Sequence, residues 1–247
     1  MATWDWQVFC KDTLDGEVQP RCFGDGGEIT YLDWMLSAWG WTLGVAVLAL
    51  IVALVAGSLM GILRTTPNKW FVAIGNTWTE LFRNIPLLVQ IFLWYHVLPS
   101  IFKPLQAFPS FILVVFALGF FTSARISEQV KAGIQSLPRG QRYAGLAMGL
   151  TLPQTYRFVL LPMAFRIVIP PLTSESMNIV KNSSVAFAVS IAELTMFAMQ
   201  AQEETSRGIE IYLAVTALYF ISAFSINRVA LFIENRVQVP GMIGGGR

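Results

Sequence analysis

Between residues 165 and 202 an otherwise apolar stretch carries Glu175, Lys181 and Glu193 together with Asn178, Asn182, Ser183 and Ser184. Charges inside a segment of membrane length are costly to desolvate, and they mark a solute or ion path by default. At about 100° per residue, Glu175 and Glu193 fall on one helix face, with Asn182 about 20° away and Asn178 about 60° away. Lys181 lies about 120° off that line on a regular helix, so it enters the same cavity from one side or pairs with Glu175. Pro170 and Pro171 disturb the early turns. The stripe reads equally as amide and hydroxyl glue between helices and as the wall of a polar solute path. A second cluster, residues 123–129, sets Arg125 and Glu128 three apart, close enough to pair on a helix. Arg125 is either a snorkelling side chain at a helix end or a planar guanidinium offered to a carboxylate solute.

A third group makes no bonds to a solute but is shaped for contact. Residues 143–149, YAGLAMG, put Ala144, Gly145, Ala147 and Gly149 where another surface can approach the backbone closely. Pro138 and Gly140 break the chain before them, and a short helix is expected over residues 142–149. Pro153 restarts the chain, Tyr156 and Arg157 follow, and Pro162 is expected to end the segment at the membrane. The helix is read as seated in a partner's groove; an amphipathic helix lying on lipid is the alternative. Catalysis has little to work with. No G-x-x-x-x-G-K-[ST] phosphate loop is present, and one histidine with two cysteines makes no metal cluster. That histidine, His96, adjoins Trp94 and Tyr95, as an interfacial aromatic belt would.

The elements that must carry these residues are apolar helices. The 247 residues are 55% hydrophobic and 13% charged, with a mean hydropathy of +0.57 and the charges confined to a few segments. A soluble domain of this size has no room for a helix that is hydrophobic all round for some thirty residues, and the period-two alternation of a β-barrel is absent. Spans of about 20 residues are expected over residues 34–63, 84–102, 104–124 and 211–227, with a broken fourth span within 165–202, five in all. Lys and Arg outside the spans divide twelve to four between alternate sides. Arg64, Lys69 and Arg83, the run from Arg125 to Arg166, and Arg228, Arg236 and Arg247 fall on the cytoplasmic side by the positive-inside rule. The N-terminus is then external and the C-terminus internal. The external segment is acidic (Asp5, Asp12, Asp15, Glu17, Asp25, Glu28, Asp33) and shows no basic start or apolar run of a cleavable signal. Its Cys10 and Cys22 are expected to pair in an oxidising compartment, two free thiols being the alternative.

These motifs resemble a known family. Residues 141–162 resemble the EAA loop of ABC importer permeases, with Ala144, Gly149, Leu161 and Pro162 in register; Tyr143 stands where that family usually has Glu, and Gly145 where it has the second Ala. Residues 80–90 (ELFRNIPLLVQ), 133–141 (GIQSLPRGQ) and 178–184 (NIVKNSS) are similar to the polar amino acid permeases of the histidine/glutamate/glutamine group, and residues 124–131 (ARISEQVK) most resemble its glutamate/aspartate branch. The resemblance runs from residue 34 to about 241. It implies an all-α integral membrane protein of the type I importer permease fold: an external extension over 1–33, a five-helix transmembrane domain over 34–235 and a cytoplasmic tail over 236–247. It further implies a bacterial inner-membrane subunit paired with a second homologous permease, a cytoplasmic ATPase dimer that carries ATP and magnesium, and a periplasmic binding protein that delivers an acidic amino acid. Membrane lipid surrounds such a subunit, and nucleic acid is not a partner. On this view Arg125, Glu128, Glu175, Asn178, Lys181, Asn182 and Ser183 line or gate the solute path. Ala144, Gly145, Gly149, Arg157 and Pro162 belong to the ATPase contact. A permease for general or neutral polar amino acids, a stand-alone ion-coupled carrier or channel, and a structural membrane scaffold are the alternatives. A carrier would show paired repeats with interrupted helices, of which only one broken span is seen.

Overall fold

The computed structural model describes residues 4–24 and 28–237. Asp25, Arg247 and nearly all of the expected tail, including the end of the resemblance near residue 241, lie outside them. The helices in chain order are α1 (Tyr31–Leu63), α2 (Lys69–Asn84), α3 (Leu87–Phe92), α4 (Leu98–Ile101), α5 (Ser110–Gln135), α6 (Arg139–Ala147), α7 (Leu152–Thr155), α8 (Leu161–Asn182), α9 (Leu194–Thr205) and α10 (Gly208–Val237).

A capping box starts α1: the Thr30 hydroxyl accepts from the Asp33 backbone N–H and the Asp33 carboxylate accepts from that of Thr30. It runs parallel to α5, and small residues let the two backbones meet. A Cβ on Gly57 would lie 2.7 Å from the Ser123 carbonyl oxygen and 2.7 Å from Ile126 Cβ; one on Gly61 would lie 2.7 Å from Val130 Cβ, and one on Gly119 2.7 Å from Val52 Cγ1. Lipid tails are as apolar as leucine, so helices associate here by close packing rather than by hydrophobic transfer. We therefore expect Gly57→Ala to lower the thermal midpoint of the purified protein, by about 1–3 kcal/mol of overpacking. Gly40→Ala, which meets open space on the same helix, should be neutral or stabilising. Equal midpoints for the two variants would remove this contact from the account of stability.

The second expected span, 84–102, is only part of what is there. Lys69–Asn84 and Leu87–Ile101 form a pair bent by 105°, the turn falling at Ile85, which is extended as the residue before Pro86. Helix α2 escaped a hydropathy reading because it is amphipathic: Glu80 and Arg83 sit among Trp70, Phe71, Ile74 and Leu81, all four exposed. The third span begins later and ends later than expected. Pro104 belongs to a 3-10 turn, Lys103–Ala107, ahead of the Pro109 cap, and α5 continues past Arg125 and Lys131 to Gln135. Helix α10 likewise extends the expected 211–227 at both ends.

The fourth region is a helical rod followed by a break. From Leu152 it continues through a π turn at Tyr156–Leu160 into α8 and then a 3-10 segment, Ser183–Val189. Ser190 is left-handed at φ 59°, and α9 follows. Leu194 N–H donates to Thr42 (3.1 Å) and the Tyr31 hydroxyl to Glu204 (2.8 Å), so α9 runs antiparallel along the first turns of α1. Pro162 does not end the segment, because the π turn before it already shifts the hydrogen-bond register and proline's missing donor falls at the first turn of α8.

The structure joins Cys10 and Cys22 by a disulfide. The segment they close is tied to the helices: Asp12, buried, accepts from the Leu14 and Ile29 N–H groups (2.7 and 3.2 Å), and Asp5 lies 3.5 Å from both Lys11 and Arg207. This is the acidic end of the bundle. The opposite, basic end carries Arg64, Arg83 and the region around α6.

Candidate functional site

Two groups of side chains stand out, one within the bundle and one at its basic end. Within the bundle, Arg125 of α5 reaches Glu175 of α8 across 3.7 Å, and Gln129, one turn on from Arg125, donates to Glu175 at 3.3 Å. The Glu175 carboxylate is 10% exposed and the Arg125 guanidinium 42%. Its Oε2 has no hydrogen bond, so the pair is held loosely. The exposed Phe121 side of the guanidinium stacks over that ring at 5.0 Å. Arg125 therefore does not pair with Glu128. Glu128 turns away to Arg64 (2.8 Å) and Arg83 (3.4 Å), because the C-terminal cap of α1 brings one guanidinium to it and α2, crossing α5 there, brings the other. Arg64 is almost fully buried and also bonds Asn76 (2.8 Å) and Ser127 (3.2 Å). This network fastens α1, α2 and α5 together.

Lys181 does not neutralise Glu175. It is exposed, with no ion-pair partner among the described residues, while Asn178 and Asn182 are half-buried nearby on α8. Ser183 faces inward, buried, with its hydroxyl donated to the Val180 carbonyl (2.7 Å), and Ser184 bonds the Lys181 carbonyl (2.8 Å). Glu193 leaves the stripe altogether. The break at Ser190 removes it from the α8 wheel, and it caps α9 instead, accepting from Thr195 N–H (2.9 Å), Met196 N–H (3.0 Å) and the Tyr219 hydroxyl (2.8 Å) while fully buried. Glu193→Ala would leave the partly buried Thr195 and Met196 N–H groups without their acceptor, while the Tyr219 hydroxyl keeps Thr195 (3.2 Å), a loss of about 2 kcal/mol readable as a midpoint lower by about 4–8 °C. Glu193→Gln, which keeps an acceptor, should fall between. An unchanged midpoint for the alanine variant would show that the cap holds nothing.

At the basic end α6 begins at Arg139, three residues before the expected start, since Pro138 supplies its cap. Gly149 ends it at φ 83°, with Leu150 N–H bonded back to the Gly145 carbonyl (3.2 Å), a turn that favours glycine. Gly145 is not offered to a partner: it is buried, and a Cβ there would lie 2.9 Å from Thr155 of α7. Ala144, Gly149, Arg157 and Pro162 are exposed, Arg157 stacking over Phe158 at 5.4 Å. Beside them Tyr143, Leu146, Met148 and Phe158 are exposed at 66%, 38%, 82% and 61%. The sequence reading passed over Leu146, Met148 and Phe158 as contact residues. Their signal was there: large apolar groups on a short helix outside the spans. Gln129, four residues from Arg125, was legible by helical spacing in the same way. A Tyr156 hydroxyl bond to the Thr65 carbonyl (2.7 Å) ties this end to α1.

A bundle of apolar helices with a loose, half-exposed ion pair and a short helix displayed at the basic end defines a class. The family model described as binding-protein-dependent transport system inner membrane component matches residues 53–239, and the chain belongs to that family. It is 42% identical, over 98% of both chains, to the glutamate/aspartate import permease protein GltJ of Escherichia coli. It is 31% identical to the glutamine transport system permease protein GlnP of the same species, over 80% of this chain and 90% of that one. Among solved structures, an amino acid ABC transporter crystallised with histidines matches with a TM-score of 0.73 at 28% identity, covering 83% of this chain and 95% of the other. The methionine transporter MetNI shares the fold at a TM-score of 0.72 and 22% identity. The protein is thus a multi-pass membrane transport subunit of the type I ABC importer permease fold.

Proposed function

We propose that the chain is a permease subunit of an ATP-driven importer of acidic L-amino acids in a bacterial inner membrane. The N-terminus is periplasmic and the C-terminus cytoplasmic, a reading supported by the excess of Lys and Arg at the α6 end. A second homologous permease completes the pathway. Two ATPase subunits, which carry ATP and magnesium, dock on the apolar face of α6, and a periplasmic binding protein delivers the solute at the acidic end. The observation that carries the substrate class is the Arg125–Glu175 pair, whose half-exposed guanidinium is held across 3.7 Å. A solute carboxylate competes for that guanidinium with better, bidentate geometry. Lys181, which has no ion-pair partner among the described residues, adds a second positive charge from α8, with the amides of Asn178 and Asn182 able to bond the amino acid backbone. Similarity to GltJ over 98% of the chain supports the same reading. Movement of α6 on ATPase closure would rock the attached rod and alternate access to these groups.

Similarity to glutamine permeases at 31–34% identity supports a second reading, a neutral polar amino acid importer on the same machinery. The separating experiment is ATPase stimulation of the purified complex in nanodiscs, with binding proteins preloaded with glutamate, aspartate, glutamine, histidine or nothing. Stimulation by glutamate and aspartate alone is expected. A response confined to glutamine or histidine would move the assignment to the second reading, and none at all would count against an importer.

A further inference from the structure

The rod of α8 leaves a groove against α1 and α10, lined by Thr173 and Ser176 on a face of α8 turned about 100° or more from Glu175. Its volume is about 450 Å³, and its walls include Leu50 and Leu54 of α1, Ile169 of α8, and Val229, Ala230 and Ile233 of α10. Two of the three hydroxyls that border it, Ser225 being the third, are turned back on their own helix: Thr173 donates to the Ile169 carbonyl (3.2 Å) and Ser176 to that of Leu172 (2.9 Å). The groove therefore presents hydrocarbon to whatever fills it, and a polar solute would find no partner there.

Its two long walls end in positive charge. Helix α8 runs away from the basic end and α10 runs towards it. On α8, Arg166 lies about 20° from Thr173 around the axis, and on α10, Arg236 lies about 20° from Val229. Each arginine thus continues a groove-lining stripe by one more turn, and both do so at the same, basic end. Arg166 and Arg236 are exposed, and the Arg236 guanidinium stacks over Phe232 at 5.0 Å. From Ser225 to Ile233 the groove extends about 12 Å, and Arg236 stands about 16 Å from Ser225. One leaflet's hydrocarbon is about 15 Å deep.

We infer that this groove seats an acyl chain of an anionic phospholipid whose phosphate is held by Arg166 and Arg236. The length matches a leaflet, the walls match a hydrocarbon tail, and the two guanidiniums at the mouth match a phosphate. The site is separate from the solute path, so it stands or falls independently of which amino acid is carried.

Native mass spectrometry of the full-length protein, with the subunits that co-purify with it, tests this after delipidation and titration with phosphatidylglycerol or phosphatidylcholine. The wild type should retain phosphatidylglycerol at least tenfold better than phosphatidylcholine. Arg166→Ala with Arg236→Ala should abolish that preference, and Arg166→Lys with Arg236→Lys should keep most of it. Ala230→Trp, which fills the groove without touching either charge, should reduce retention of both lipids; thermal midpoints report whether each variant is folded. Equal retention of the two lipids by the wild type, or a preference unmoved by the alanine pair, overturns the inference. So does efficient disulfide crosslinking of Thr173→Cys between two copies of the chain, because protein would then cover the groove.

Discussion

Arg125→Ala is expected to reduce acidic amino acid uptake about a hundredfold in a reconstituted transporter, the equivalent of about 3 kcal/mol. Two effects add in that variant. On the proposed reading the solute loses its guanidinium, and Glu175, 10% exposed, is left as a carboxylate without its counter-charge, which costs stability, though less than in a fully buried pair because Arg125 is 42% exposed. The double variant Arg125→Ala with Glu175→Gln separates them. A neutral amide still accepts from Gln129 and needs no counter-charge, so the thermal midpoint should recover while uptake stays low. If uptake recovers with the midpoint, Arg125 serves only as the counter-ion of Glu175 and does not meet the solute. Lys181→Ala supplies the complementary case: with no ion pair to break, it should lower uptake at an unchanged midpoint.

The second large effect is expected at the displayed helix. Leu146→Asp together with Met148→Asp places one carboxylate on an exposed apolar position of α6 and a second at its C-terminal cap. Burying a charge without a partner is far costlier than the contacts it replaces. Co-purification of the ATPase should therefore fall at least tenfold, while insertion of the chain is unaffected. Gly149 needs separate treatment, since at φ 83° any bulky residue strains the turn as well as the contact. Gly149→Asn tolerates that conformation and should keep the association; Gly149→Arg should lose it. Retention of the ATPase by the double aspartate variant would show that α6 is not the docking element.

Much of the architecture was legible because desolvation is a strong, one-dimensional signal. Residues 34–63 read as a span and form one, and the apolar cores of α5 and α10 were found. Helix α2 was not, because a helix lying with one charged face against Arg64 and Glu128 dilutes its own hydropathy. The wheel drawn through Glu175 and Glu193 failed for a different reason. Helical phase is preserved only while the helix lasts, and the turn at Ser190 resets it, leaving Glu193 a cap. Pairing by spacing failed at Arg125 and Glu128 because three residues along one helix compete with neighbours on two others, which no local pattern reveals. Gly145 shows the same limit: smallness announces a close approach but does not say by what, and the answer is Thr155 of this chain.

Thr155, packed on Gly145 at one end, and Glu175, facing Arg125 at the other, belong to one uninterrupted helical rod. Twenty residues of helix separate them by about 30 Å. A push on the displayed helix and a change at the ion pair are then linked through a single rod, which can bend at two places, the π turn over Tyr156–Leu160 and the pair Pro170 and Pro171. Whatever slack separates the two ends then sits at those two places rather than along the rest of the rod.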